Sequence, residues 1–185
     1  METSTSTELS DRADPVLDRL CSELLAWPGG DGVMHAIDRA RAAWVGAGLL
    51  TVNRKLEGPA AQREVWQLQR IWSSNRDVYP VGGCKFKPLT PWARRLFVDQ
   101  QMFRTEGRAA MAQTFDDHMV MAGLGLQSAV NVPIVRDRIC VATFNCMSVR
   151  PAWSARQLAL VRTLALLASA WIFQEVDRWQ TSQAA

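Results

Sequence analysis

The acidic pair beside an imidazole, Asp116-Asp117-His118, is a grouping that can move a proton or orient a polar ligand. The same residues also make a helix start, with one aspartate holding backbone N–H groups and His118 exposed. Four cysteines offer a second chemistry. A thiol becomes a nucleophile where a cation or helix end lowers its pKa. Lys85 is adjacent to Cys84, and His118 is the candidate partner of Cys146, whereas Cys140 lies inside an apolar run and reads as a small buried hydrophobe. On this reading Cys146, Cys84, His118 and Asp117 form the catalytic set of a small hydrolase or reductase. The spacing contains no CxxC and no Cys/His metal pattern, so neither a metal nor a cofactor is expected.

Binding chemistry is suggested by the cations and aromatics. Gly82-Gly83-Cys84-Lys85-Phe86-Lys87 carries two of the three lysines but lacks GxxxxGK[ST], so the segment is not a phosphate loop of that kind. Lys85 is the better candidate for an anionic ligand group, and Lys87 reads as a solvated loop residue. Arg70 lies between Leu68 and Trp72 on one face of a strand, where its guanidinium needs a carboxylate from a ligand or from an internal acid. Trp66, Trp72, Tyr79, Trp92 and Phe103 are candidates to wall a flat pocket, at least half of them being plain core.

These residues need elements to hold them. Apolar positions at helical spacing predict a helix from Pro15 to Trp27, stopped by Pro28-Gly29-Gly30, and a second from Asp31 to the Gly46 and Gly48 breakers. The period then changes. Leu49 to Leu56 and Glu64 to Ser73 read as strands around Gly58-Pro59, followed by an irregular stretch from Ser74 to Leu89. Thr90-Pro91-Trp92 opens a helix to about Val98, with a short strand at Met102 to Arg104 and short helices at Gly107 to Thr114 and Asp116 to Ala122. Gln127 to Val135 and Arg138 to Met147 form a hairpin about Arg136-Asp137, and Ser154 caps a helix reaching Trp179. In that hairpin Asn131, Phe144, Cys146 and Cys140 fall on a mixed face assigned to a cavity. Val130, Val132, Ile134, Ile139, Val141 and Thr143 fall on an aliphatic face assigned to helices.

The composition limits the partners. The chain has 185 residues, 48% hydrophobic and 21% charged, with eight Trp against six Phe and one Tyr, enough apolar bulk for one packed domain. A net charge of +3 with arginines scattered among acids argues against nucleic acid. The most apolar run, Leu158 to Phe173, is interrupted by Arg162, and the polar N-terminus has no hydrophobic run behind a basic flank. The expectation is a cytoplasmic protein with free thiols and no membrane partner. Residues 1–14 and 181–185 read as tails around a domain at 15–180.

Gly125-Leu126-Gln127-Ser128-Ala129-Val130-Asn131-Val132-Pro133-Ile134, the following Val141-Ala142-Thr143-Phe144-Asn145 strand and the closing apolar helix resemble the C-terminal half of a GAF domain. In that family a G-x-x-S-x-x-x-V-P-[IVL] strand, a G-x-[LF]-x-[LF] strand and a helix recur in this order, and Ala142 stands where many members have Gly. The resemblance implies an α+β fold: a five- or six-stranded antiparallel sheet, terminal helices on one face and a ligand pocket on the other. It implies a stand-alone sensory-type domain for a small anionic or heterocyclic molecule, contacted by Arg70, Trp72, Tyr79, Lys85, Trp92, Phe103, Asp117, His118, Asn131 and Cys146. The cysteine motifs of the family's methionine sulfoxide reductase are not recognisable in this sequence. A homodimer is expected through the helices around Asp18 to Leu25 and Leu158 to Trp171, and an interaction module with a filled core is the third reading.

Overall fold

The terminal helices are set by their caps. Asp14 accepts hydrogen bonds from the amides of Val16 and Leu17 to start α1 (Pro15–Leu25), and its other carboxylate oxygen takes the Trp44 indole N–H at 3.0 Å, tying α1 to α2 (Gly32–Val45). Asp31 precedes α2 without capping it and pairs instead with Arg76. The computed structural model describes residues 14–27, 29–56 and 65–184. The expectations for residues 1–13, Pro28 and Gly58-Pro59 lie outside them.

Six strands follow: β1 (Gly48–Leu56), β2 (Val65–Ser73), β3 (Cys84–Pro88), β4 (Phe103–Glu106), β5 (Ser128–Arg136) and β6 (Ile139–Ser148). They form one sheet in the order β3-β2-β1-β6-β5-β4, and every neighbouring pair is antiparallel. Between β3 and β4, Thr90 caps α3 (Pro91–Ala93), which continues as a π-helical turn over Arg94–Val98. The two short helices after β4 are α4 (Arg108–Thr114) and α5 (His118–Gly123). The long α6 (Ala155–Ala184) begins at a reciprocal cap between Ser154 and Gln157 and runs past Trp179 to Ala184. β3 was absent from the sequence expectation; it forms because residues 84–88 pair with the full outer half of β2.

Two bulges decide which side chains meet. In β2, Trp72 pairs with Val52 but Arg70 pairs with Asn53, so Ile71 is the extra residue and both Ile71 and Trp72 pack into the helix-side core. In β6, Cys140 pairs with Val135 but Ala142 pairs with Ile134, leaving Val141 extra. The hairpin turn is also one residue later than expected: Asp137 and Arg138 both have positive φ (51° and 64°), as a type I′ turn requires. Beyond the bulge Asn131 faces Asn145, and Ala142, Phe144 and Cys146 point to the helices. The mixed face read from the sequence therefore holds for β5 and is inverted for β6.

The helix-side core joins α1, α2 and α6 to the sheet through Ile37, Leu50, Trp72, Phe144, Leu164 and Ile172, all buried. Ala155–Trp179 has the length and mean hydropathy (1.3) of a helix able to cross a membrane despite Arg162. Here one of its faces is taken up by the sheet and α2, and the Trp171 indole donates to the Gly30 carbonyl at 2.7 Å. A second apolar cluster, with Leu68, Trp92, Leu96, Met111, Phe115 and Met147, covers the opposite face of the sheet beneath α3, α4 and α5.

Candidate functional site

A cavity of about 50 Å³ lies on that second face. Its floor is an amide ladder whose directions are fixed by chemistry. An indole N–H only donates, so Trp92 Nε1 must meet Asn131 Oδ1 (3.0 Å); Asn131 Nδ2 then donates to Asn145 Oδ1 (2.8 Å), and Asn145 Nδ2 to Thr51 Oγ1 (3.3 Å). The ladder crosses β5, β6 and β1 and holds Trp92 upright as one wall. Both ends of the Asn131 amide are thereby used inside the protein.

The charged wall comes from the edge of the sheet. Period-two alternation sends Leu68 and Arg70 of β2, and Lys85 and Lys87 of β3, to the cavity side. Arg70 is buried, with its guanidinium 4.8 Å over the Tyr79 ring and Nη1 donating to the Pro80 carbonyl at 3.0 Å. Its Nε, and the Tyr79 hydroxyl beside it, are buried with no hydrogen bond of good geometry, the hydroxyl lying close enough to the Asp117 carboxylate to interact with it. A buried donor without a good hydrogen bond is costly, so two in one small cavity mark a place built for an acceptor. Burial lowers the Arg70 pKa, with nearby Tyr79 and Asp117 acting in the opposite direction, but arginine remains cationic. Burial and then the Asp117 charge push the Tyr79 phenol upward, so it stays a neutral donor.

The roof is the segment between α4 and α5. Phe115 and Met121 supply its apolar surface and Asp117 its charge. Asp117 Oδ2 accepts from Lys85 Nζ at 2.6 Å, and Asp116 pairs with Lys87 from an exposed position. Burial raises the Asp117 pKa, but the Lys85 hydrogen bond and charge outweigh it and the carboxyl ends below its ordinary value. Three cations thus line the cavity against one lining carboxylate, among the described residues.

Of the residues named from the sequence, the cavity brings together Arg70, Tyr79, Lys85, Trp92, Asp117 and Asn131. Phe103 packs on the same apolar cluster outside the lining, and His118 turns its Nδ1 to the Phe115 carbonyl at 3.0 Å. Trp72 and Cys146 were carried to the helix side by the two bulges. Cys84 is exposed on β3, alternating with the cavity-facing lysines. Of the four groups of the cysteine-enzyme reading only Asp117 lines the cavity. Lys87 corrects the sequence reading in the other direction: it is buried, with Nζ 6.0 Å over the Trp92 ring. The Lys-x-Lys alternation of a strand was its available signal. Thr51, Asn53 and Asn145 were missed because the floor depends on register across β1, β5 and β6.

Burial pushes the thiols of Cys140 and Cys146 up to about 12, whereas Cys21 and Cys84 are exposed. Native protein treated with iodoacetamide at pH 8 is therefore expected to take up two labels quickly and two more only on unfolding. Mass spectrometry that finds Cys146 labelled first would restore the thiol-enzyme reading.

Comparison with known proteins agrees with this fold. A family model described as "GAF domain" matches residues 71–172, while curated protein sequences returned no match. Among solved structures, the GAF domain of a two-component sensor histidine kinase from Bacillus halodurans superposes with a TM-score of 0.60 at 13% identity, covering 84% of this chain and 98% of that one. The GAF domain of a phosphoenolpyruvate-protein phosphotransferase from Coxiella burnetii gives 0.58 at 10% identity, covering 92% and 95%. The phycocyanobilin-bound GAF domain of a cyanobacterial phytochrome gives 0.56 at 16%, covering 86% and 93%. The six-stranded antiparallel sheet, its helices and the matched residues place this chain in the GAF domain family.

Proposed function

We propose that this domain is a sensory-type module that binds a compact anion, a small carboxylate or an oxyanion of similar size, in the cavity between the sheet and the 115–121 segment. The observation that carries this reading is the pair of buried donors without a hydrogen bond of good geometry, Arg70 Nε and the Tyr79 hydroxyl, in a cavity with three cations and one carboxylate. GAF domains commonly bind small molecules, which supports the general role.

Size supports the compact half of the sequence expectation. A buried water occupies roughly 10–15 Å³ on the same measure, so about 50 Å³ holds a few waters or one small anion. Pockets for drug-sized ligands run to roughly 300–1,000 Å³. A heterocycle would have to displace the roof. The amide ladder supports a positioning role for Asn131, which sets Trp92 as the flat wall on which an anion's carbon skeleton rests.

Thermal unfolding with oxalate, malonate, acetate and phosphate, each beside its neutral amide or ester at matched ionic strength, tests the reading. Saturation at 100 times Kd adds about 2.7 kcal/mol, which for a domain of this size raises Tm by roughly 5–10 °C. At least one anion is expected to do so with no effect from its neutral counterpart. Equal shifts from anions and neutral compounds, or none from any, would refute an anion site.

Exposed Leu25 on α1 and Leu166 on α6 support a homodimer through the terminal helices as part of the same proposal. Light scattering on the purified chain reads its mass directly.

A further inference from the structure

Asp117 already supplies an anion to the proposed anion site. Its carboxylate sits 2.6 Å from Lys85 Nζ and is near enough to Arg70 and Tyr79 for its charge to act on both. It does no work for its own helix: α5 follows it directly, yet the Asp117 side chain makes no capping bond. α5 itself is loosely held. Met121 is its buried anchor, while Met119 and Val120 are exposed, and the segment ends at Gly125, whose φ of +73° is one that glycine adopts freely. Beside the apolar packing of Phe115 and Met121, two ionic contacts fasten the roof to the sheet edge, Lys85 with Asp117 and Lys87 with Asp116.

We infer that Asp117 is a tethered stand-in for the ligand: an incoming anion takes its place on Lys85 and accepts hydrogen bonds from Arg70 Nε and the Tyr79 hydroxyl, and the displaced carboxylate carries α5 away from the sheet. This rests on the anion-site reading and adds what that reading lacks, a route from occupancy to a change of shape. The cations keep their compensation throughout, since one carboxylate is exchanged for another, so the exchange avoids leaving a buried charge alone. Ligand affinity is then reduced by the fraction of molecules in which Asp117 holds the site, and removing that competitor recovers it. The exposed Asp116 contact with Lys87 is the weaker fastening, because a carboxylate in water gains little from its partner.

The test uses oxalate as probe, titrated by calorimetry into the wild-type chain, Asp117→Asn and Asp116→Asn, with hydrogen exchange over residues 116–124 measured with and without oxalate. Asp117→Asn is expected to bind oxalate at least fivefold tighter than wild type, within the usual range of coupling between sites. Asp116→Asn is expected to change affinity less than twofold. In the wild type oxalate is expected to speed exchange in α5, and in Asp117→Asn α5 is expected to exchange fast without it. Wild-type binding with equal or weaker binding by Asp117→Asn would overturn the inference and leave the anion site standing. Failure of oxalate, malonate and phosphate to bind either protein would overturn both. If Asp117→Asn does not fold, the wild-type exchange decides alone, and slower exchange on oxalate addition overturns the inference.

Discussion

Replacing Arg70 with Met is expected to weaken binding of the anion by roughly 10- to 150-fold while leaving the fold as stable as before. The affinity loss follows from the charge-assisted hydrogen bond that Nε offers, worth about 1.5–3 kcal/mol, with each 1.4 kcal/mol a factor of ten. The stability result follows from the opposite side of the same residue. A buried guanidinium with one N–H unpaired gives up much of its hydration, and its remaining contacts are the Pro80 carbonyl and the Tyr79 ring. An apolar side chain of similar length loses those contacts and sheds the burial cost, so the net change is expected to stay within about 1 kcal/mol. Arg70→Lys is not expected to rescue binding, because an ammonium cannot reproduce the fork geometry. Urea unfolding beside calorimetry separates the two effects. Unchanged affinity with a large loss of stability would mean that Arg70 holds the fold and not a ligand.

Trp72→Ala is expected to do the reverse. The indole is fully buried in the helix-side core, edge-on to His35 at 5.7 Å, and truncating a Trp there costs about 3–5 kcal/mol through lost burial and the cavity left behind. Against a typical domain stability of about 5–15 kcal/mol, that removes a third or more of the total in most cases. The molecules that remain folded are expected to bind the anion with unchanged affinity, since Trp72 lies across the sheet from the cavity. Had Trp72 walled the pocket, as alternation along an unbroken strand implies, affinity would fall first. Denaturation midpoints and calorimetry on the same sample tell the two apart.

Much of the fold was legible because its signals are local. The Thr90-Pro91 start, the Ser154 cap, the Gly46 stop and the period change after α2 each act within a few residues, and each is where the sequence puts it. Arg70, Lys85, Trp92 and Asn131 were legible in the site for a related reason: polar or aromatic groups among apolar neighbours need a destination. What failed was long-range. A bulge adds one residue to a strand and reverses the face of all that follow, and neither Ile71 nor Val141 carries a glycine or proline to announce it. Trp72 and Cys146 were misplaced by those two residues alone. β3 was missed because the single Lys85-x-Lys87 alternation is the one local sign of a strand in five residues between Gly83 and Leu89, and its partner strand supplies the hydrogen bonds that make it extended. The Asp117–Lys85 contact joins positions 32 apart, and nothing local to either residue records it.

The measurement that bears most directly on the central claim is a crystal structure of the wild-type chain with the anion that stabilises it most. That anion is expected between the sheet and the 115–121 segment, accepting hydrogen bonds from Arg70 Nε and the Tyr79 hydroxyl, with Lys85 released from Asp117. An anion seated elsewhere, for instance between Ile134 of β5 and Arg162 of α6, which line an open groove, with Arg70 Nε still unpaired, would contradict the claim.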